Sequence, residues 1–377
     1  MLRWSAGAEL RLPDLRSAGW TLFPSGIMQL AFRRFDLALR HPWAISTDLQ
    51  QGVGRSVYPV VFVELTDDQC RRGIGEASPS SQYQETPETV TEFLSRVDSR
   101  RLSFDDIEGS MLYLESLSPG RFPAKCALNV ALLDGAARAA GVPLHQFLGL
   151  GFREGCHITS FSIGIDIPEI MASKAVEAAA MPVLKIKLGS PNDRENFNAV
   201  RNAVPGKPIR VDANAGWKNK EDALRQIEWL ALDGQVQFVE QPMPPDRPDS
   251  DWVWLKERSP LPIFGDESYQ SAADAERCAQ AFHGVNVKLV KTGGLTNAKQ
   301  ALEAARSRGL RTMLGCMIES SLLITAAAHL ADLTDALDLD GHLLTRNDPY
   351  MGVACDMGVL GFASRRPFTG LGVRERS

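Results

Sequence analysis

No apolar run in the chain approaches the length of a membrane-spanning helix, so a soluble protein is expected. Cysteine is sparse and scattered. Cys70, Cys126, Cys156, Cys278, Cys316 and Cys355 form no CxxC pair and no disulfide framework, which makes a reducing, cytoplasmic setting the expected one. An excess of basic charge is missing as well: 41 Lys and Arg against 46 Asp and Glu give a net charge of -5, with no basic patch for nucleic acid. The six histidines show no ligand spacing. Short internal repeats, low-complexity tracts and a Gly/Ser linker are also lacking, and 377 residues leave room for a barrel and a smaller domain. Residues 1–26 carry early arginines but no apolar core with a small-residue cleavage site. They read as an arm of unassigned role before a domain that starts near Ile27.

What the chain does have is two lysines one residue apart at the end of an apolar run, Val183-Leu184-Lys185-Ile186-Lys187-Leu188. Strand side chains alternate, so Lys185 and Lys187 point to one side of a segment too apolar for a surface edge. Like charges held together and partly buried disfavour the ammonium form, and an amine so perturbed can act as a base near neutral pH. Two solvated lysines at a strand end are the plain alternative, and the segments that follow decide against it. The runs Ile209–Asn214, Val236–Glu240 and Ile263–Glu267 all end in acids, with Asp212, Glu240 and Asp266 spaced 28 and 26 residues apart, about one strand plus one helix.

Further apolar runs at Thr159–Gly164, Val285–Val290, Arg311–Cys316 and Asp335–Asp340 bring the count to eight strands, with helical spacers such as Arg194–Val204 and Ala298–Arg308. This is the pattern of an α/β chain folded as a (β/α)8-type barrel, whose strand ends converge on one mouth. Three carboxylates arriving there without His or Cys suit Mg2+ or a similar hard ion better than zinc. Asp338 and Asp340 share a face by the same alternation, and two neighbouring carboxylates call for a cation between them, which a primary ammonium satisfies. Lys288 and Lys291 differ by an odd number, so a regular strand turns only one of them inward.

Lys185-Ile186-Lys187, Val211-Asp212-Ala213-Asn214, Val239-Glu240-Gln241-Pro242, Asp266-Glu267-Ser268 and Val287 to Gly294 together resemble the ordered signatures of the enolase superfamily, muconate-lactonizing subgroup. Gly315-Cys316-Met317-Ile318-Glu319-Ser320 and Asp338-Leu339-Asp340 resemble the marks of its dipeptide epimerases. The resemblance implies a (β/α)7β-type modified TIM barrel over residues 156–355. An N-terminal α+β capping domain would span 27–155, and a C-terminal segment, 356–377, would return to the cap. It implies Mg2+ on Asp212, Glu240 and Asp266, with Lys187 and Lys288 as the two acid/base catalysts of a proton transfer through an enediolate. Lys185, Ile318 and Glu319 would contact the substrate, and Asp338 and Asp340 would hold the α-ammonium of a dipeptide.

The capping segments would be Gly73–Pro79 and the loop from Arg40 to Arg55 with its Pro42-Trp43 pair. Resembling Ala-Glu epimerases carry an Arg in that loop where this chain has Thr47 or Asp48, so a neutral or hydrophobic C-terminal residue is expected, with Arg40 or Arg55 as stand-ins. A lyase of the o-succinylbenzoate synthase type, an N-acylamino acid racemase and a non-catalytic peptide- or metal-binding barrel stay open as alternatives. So does assembly into a homo-oligomer. The lack of a histidine at the ends of strands six and seven weighs against the mandelate-racemase and sugar-acid-dehydratase branches.

Overall fold

Apolar residues recur along the short runs that the sequence marks as strands, and nearly all of the barrel-strand positions are buried, as a parallel sheet covered by helices requires. A computed structural model describes residues 21–23, 28–49, 54–365 and 367–376. Phe161–Ile163, Leu184–Lys187, Ile209–Asp212, Val236–Glu240, Ile263–Gly265, Gly284–Lys288, Arg311–Gly315 and Ala336–Asp338 form an eight-stranded parallel sheet in chain order. It curls nearly closed. The first strand meets the eighth through a Thr159–Leu337 bridge and through hydrogen bonds from Ser160 N to Leu337 O (3.1 Å) and from Leu339 N to Thr159 Oγ1 (2.7 Å).

A packing helix follows each of the first seven strands, and only a short turn, Gly341–Leu343, follows the eighth, which is the (β/α)7β form. Leu184 and Ile186 face the surrounding helices, and the alternating Lys185 and Lys187 point inward. Register then sets the site: Lys187 stands beside Asp212 and Asp212 beside Glu240, so three polar strand ends lie in one layer.

Before the barrel comes an antiparallel sheet of Thr21–Phe23, Met28–Trp43, Arg55–Asp67 and Arg72–Ala77, covered by the helices Pro87–Ser95, Ile107–Leu117 and Phe122–Ala139. Gly73 and Gly75 are glycine for lack of space: a Cβ on either would lie 1.9 Å from the carbonyl oxygen of Ala131 or Ala127, so the long helix rests directly on the strand. Thr21–Phe23, within the expected arm, pairs with Leu30–Phe32, and residues 1–20 and 24–26 of that arm lie outside the described residues. The segment 367–376 runs back along the cap, where Leu371 N donates to Asp134 Oδ1 at 2.8 Å and Leu144 N to Gly370 O at 2.8 Å. Arg366 lies outside the described residues. No helix among the described residues is long and apolar enough to cross a membrane.

The sheet docks on the barrel through Glu76. Its carboxyl accepts from Ser320 N (3.0 Å), Ser320 Oγ (2.5 Å) and Leu323 N (3.3 Å), capping the helix Ser321–Ala328, whose first amides lack partners of their own. Burial outweighs these bonds and pushes the Glu76 carboxyl up to about 7. A carboxyl raised in the folded state stabilises fully below its unfolded value and loses that contribution as pH rises through the folded value. Relative to Glu76→Gln, the wild-type protein should therefore lose roughly 3 kcal/mol between about pH 4.5 and about pH 7. Urea unfolding of both across that range reads the difference, and a gap independent of pH would contradict it.

Candidate active site

Asp212, Glu240 and Asp266 end the third and fourth strands and follow the fifth, all fully buried, with one oxygen of each within 4.8 Å of the others. Asn286, on the sixth strand, fixes Glu240 by donating Nδ2 to Oε1 at 2.7 Å. Glu240 Oε2 lies 2.7 Å from Lys185 Nζ but out of line for a hydrogen bond, which leaves a buried oxygen without a hydrogen-bond partner. Burial, with Asp212 and Asp266 adding to it, pushes the Glu240 carboxyl up to about 8. Three hard oxygen donors, one of them with an oxygen that accepts no hydrogen bond, fit a divalent ion of the Mg2+ type.

Four lysines surround this triad. Lys187 Nζ lies 2.7 Å from Asp212 Oδ2, and Lys288 Nζ lies 2.7 Å from Asp266 Oδ2. Lys185 Nζ sits between Asp212 Oδ2 (3.1 Å), Glu240 Oε2 (2.7 Å) and Asp338 Oδ2 (2.7 Å). Lys291 Nζ reaches Asp266 Oδ1 (2.5 Å) and three carbonyl oxygens, those of Asp266, Tyr269 and Asn286. Lys187 and Lys288 line a cavity of about 470 Å3 together with Asp338, Asp340 and Ile318. Its other wall comes from the cap: Trp43, whose ring centroid is 6.0 Å from Lys187 Nζ, with Ile45, Thr47 and Arg55.

Asp338 Oδ1 accepts from Ser160 Oγ (2.8 Å) and Ser162 Oγ (3.2 Å), and Asp340 Oδ2 accepts from Ser162 N (2.5 Å). The pair splits electrostatically. Burial acts against both carboxylates, but the Lys185 ammonium brings Asp338 down to about 2, whereas burial and the charge of Asp338 push Asp340 up to about 7.

The profile of the family described as Enolase C-terminal domain-like matches residues 170–354. The L-Ala-D/L-amino acid epimerase of Pedosphaera parvula is 54% identical over 349 residues, spanning 93% of this chain and 100% of that one. The chain belongs to the dipeptide epimerases of the enolase superfamily. The L-Ala-D/L-Glu epimerase of Bacteroides thetaiotaomicron is 39% identical over 87% of this chain and 84% of its own. Among solved structures, a dipeptide epimerase from Cytophaga hutchinsonii complexed with Mg and D-Ala-L-Val superposes with a TM-score of 0.84 at 28% identity, covering 93% of this chain and 96% of that one.

Several sequence expectations change against this geometry. Repulsion between Lys185 and Lys187 does not set the state of Lys185: burial opposes its charge, but Asp338, Glu240 and Asp212 outweigh burial and hold the ammonium well above the ordinary lysine range. Lys288 is likewise held above it by Asp266, against burial. Lys288 and Lys291 both reach Asp266, because the strand ends at Lys288 and a helical turn, Leu289–Thr292, carries Lys291 back to the same carboxylate. Asp338 is not an unpaired carboxylate, since Lys185 already holds one of its oxygens. Glu319 does not line the cavity; its Oε1 accepts from Met317 N at 3.0 Å. Arg40 is also turned from the catalytic cavity and donates to Leu343 O and Thr345 O at 3.2 Å each.

Four polar residues were missed: Ser160, Ser162, Asn286 and Glu267, the last accepting from Gln82 Nε2 of the cap at 2.7 Å. The alternation that paired Lys185 with Lys187 also places Ser160 beside Ser162, and Asn286 beside Lys288. Replacing one metal-site acid, by Asp212→Asn, Glu240→Gln or Asp266→Asn, should weaken Mg2+ binding more than about tenfold, beyond the lower bound for loss of a supporting hydrogen bond. Titration calorimetry measures this and circular dichroism checks the fold. Unchanged Mg2+ affinity in all three variants would remove the metal assignment.

Proposed function

We propose that the chain is a Mg2+-dependent isomerase that inverts the α-carbon of the C-terminal residue of a dipeptide, with Ala-Xaa as the class that the relatives' names support. The observation that carries this reading is the placement of Lys187 and Lys288 on the second and sixth of eight strands, across one cavity, each joined to a carboxylate of the same triad. Loss of a proton α to a carboxylate leaves a planar carbanion, and inversion requires a proton to return on the other face. One lysine takes the proton from its face while the other, still an ammonium, delivers from the opposite face. The roles exchange with the other stereoisomer.

Asp212, Glu240 and Asp266 would hold Mg2+, which when bound stabilises the negative charge that builds on the substrate carboxylate. Lys185 supplies a fixed positive charge beside that point without reorganising. Asp338 and Asp340 receive the ammonium of the dipeptide, and Ile318 gives an apolar wall. Trp43 closes the cap side over Lys187. Ser46 Oγ ties the cap loop to Asn214 O at 2.7 Å, which holds the loop against the barrel mouth.

In D2O, Lys187→Ala should fail to exchange the α-hydrogen of one stereoisomer and Lys288→Ala that of the other, as read by mass spectrometry. Interconversion of both isomers at the wild-type rate by either variant would overturn the two-lysine mechanism. Because Asp340 takes up a proton as pH falls through about 7, KM for a free dipeptide should rise below that pH, and Asp340→Asn should flatten the limb. N-acetylation of the dipeptide removes the cation and should cost about 2–5 kcal/mol of kcat/KM. Equal turnover of free and acetylated substrates would point to an N-acylamino acid racemase instead.

A further inference from the structure

Beside the catalytic cavity lies a second chamber of about 340 Å3, between the cap segment from Leu39 to Trp43 and the barrel helix Pro168–Glu177. Trp43, Ser162 and Leu344 line both spaces. Ser162 is the informative member, since its amide and hydroxyl hold Asp340 Oδ2 at 2.5 Å and Asp338 Oδ1 at 3.2 Å. The chamber therefore begins where the two carboxylates would receive an ammonium, and an α-ammonium is one bond from the carbon that bears the N-terminal side chain. We propose that this chamber takes the side chain of the N-terminal residue, so that the enzyme admits neutral, aliphatic residues larger than alanine beside the Ala-Xaa class. The inference rests on the dipeptide reading above.

Size and polarity both support it. A water's share of liquid volume is about 30 Å3, so a methyl group would leave most of the chamber to solvent. Its walls include Leu39, Pro42, Phe161, Ala178 and Met181. The polar groups at its edge already have partners: His41 Nε2 with Glu177 Oε2 at 3.0 Å, Lys174 Nζ with Asp166 Oδ2 at 3.0 Å, and Arg40 Nε with two carbonyl oxygens. A charged side chain would face a mostly apolar wall there, with the polar groups nearby already paired. Gly164 keeps the Trp43 wall seated, because a Cβ at that position would come within 3.0 Å of Trp43 Cε3.

The test compares kcat/KM of the Mg2+-loaded enzyme for Ala-Xaa, Val-Xaa, Leu-Xaa, Met-Xaa, Asp-Xaa and Lys-Xaa with one fixed C-terminal residue. The two chamber-filling variants Ala178→Leu and Met181→Trp are measured alongside. The wild type should use Leu-Xaa or Met-Xaa at least as well as Ala-Xaa and reject Asp-Xaa and Lys-Xaa. Either variant should lose roughly tenfold or more on Leu-Xaa while keeping Ala-Xaa. Turnover confined to Ala-Xaa in the wild type, or equal losses on both substrates in both variants, would overturn the chamber assignment and leave the reaction class standing. Turnover of no dipeptide would overturn the dipeptide reading and this inference with it.

Discussion

A fully buried ammonium, Lys185, lies within 3.1 Å of three buried carboxylates from three different strands, and the rest of the site depends on that contact. Taking one ion into a barrel interior costs several kcal/mol, and the cost is recovered only where opposite charges meet with good geometry. Lys185 touches two acids of the triad on one side and Asp338 on the other, so it joins the metal-binding half of the site to the half that receives an ammonium. Lys187, Lys288 and Lys291 complete the balance, two of them sharing Asp266. Acid–base chemistry needs lysines near a substrate carboxylate. This lattice holds all four in place beside the triad.

The same region stores backbone strain. Asn214, Ala215 and Gln241 have positive φ values of 41°, 62° and 35°, an unfavourable conformation for residues with a Cβ, directly after two of the triad acids. Asn214 and Gln241 are held from several directions, and Ala215 N donates to Gln241 O at 2.8 Å. Asn214 N donates to Asp212 Oδ1 at 2.9 Å while its carbonyl accepts from Ser46 Oγ of the cap. Gln241 uses both ends of its amide, accepting from Asp266 N and Ser268 N and donating to Met243 O and Ser268 Oγ. The cap is thus part of the scaffold that fixes the strand ends as well as a cover for the cavity.

Much of this was legible in the residues. Eight apolar runs at barrel spacing correspond to the eight strands, and acids at the ends of three of them converge as alternation requires. What strand periodicity could not deliver lies just past the strands. Lys291 defied the parity rule because the chain turns helical after Lys288, and the signal was the glycine pair at 293 and 294, with Gly293 ending the turn at φ 85°. The lysine pair alone could not say which amine stays charged, because the neighbours of Lys185 in sequence are one lysine and apolar residues, whereas its neighbours in space are three acids. Charge balance in a closed barrel is a property of the layer, and one strand read alone cannot show it.

The most direct test of that balance is urea unfolding of Lys185→Met with and without Mg2+. Removing one partner from a buried ion cluster leaves uncompensated carboxylates, so the metal-free variant should lose about 3–5 kcal/mol of stability. Saturating Mg2+ should restore more stability to the variant than it adds to the wild type, because the divalent charge answers the same carboxylates. A metal-free unfolding midpoint equal to that of the wild type would contradict the account.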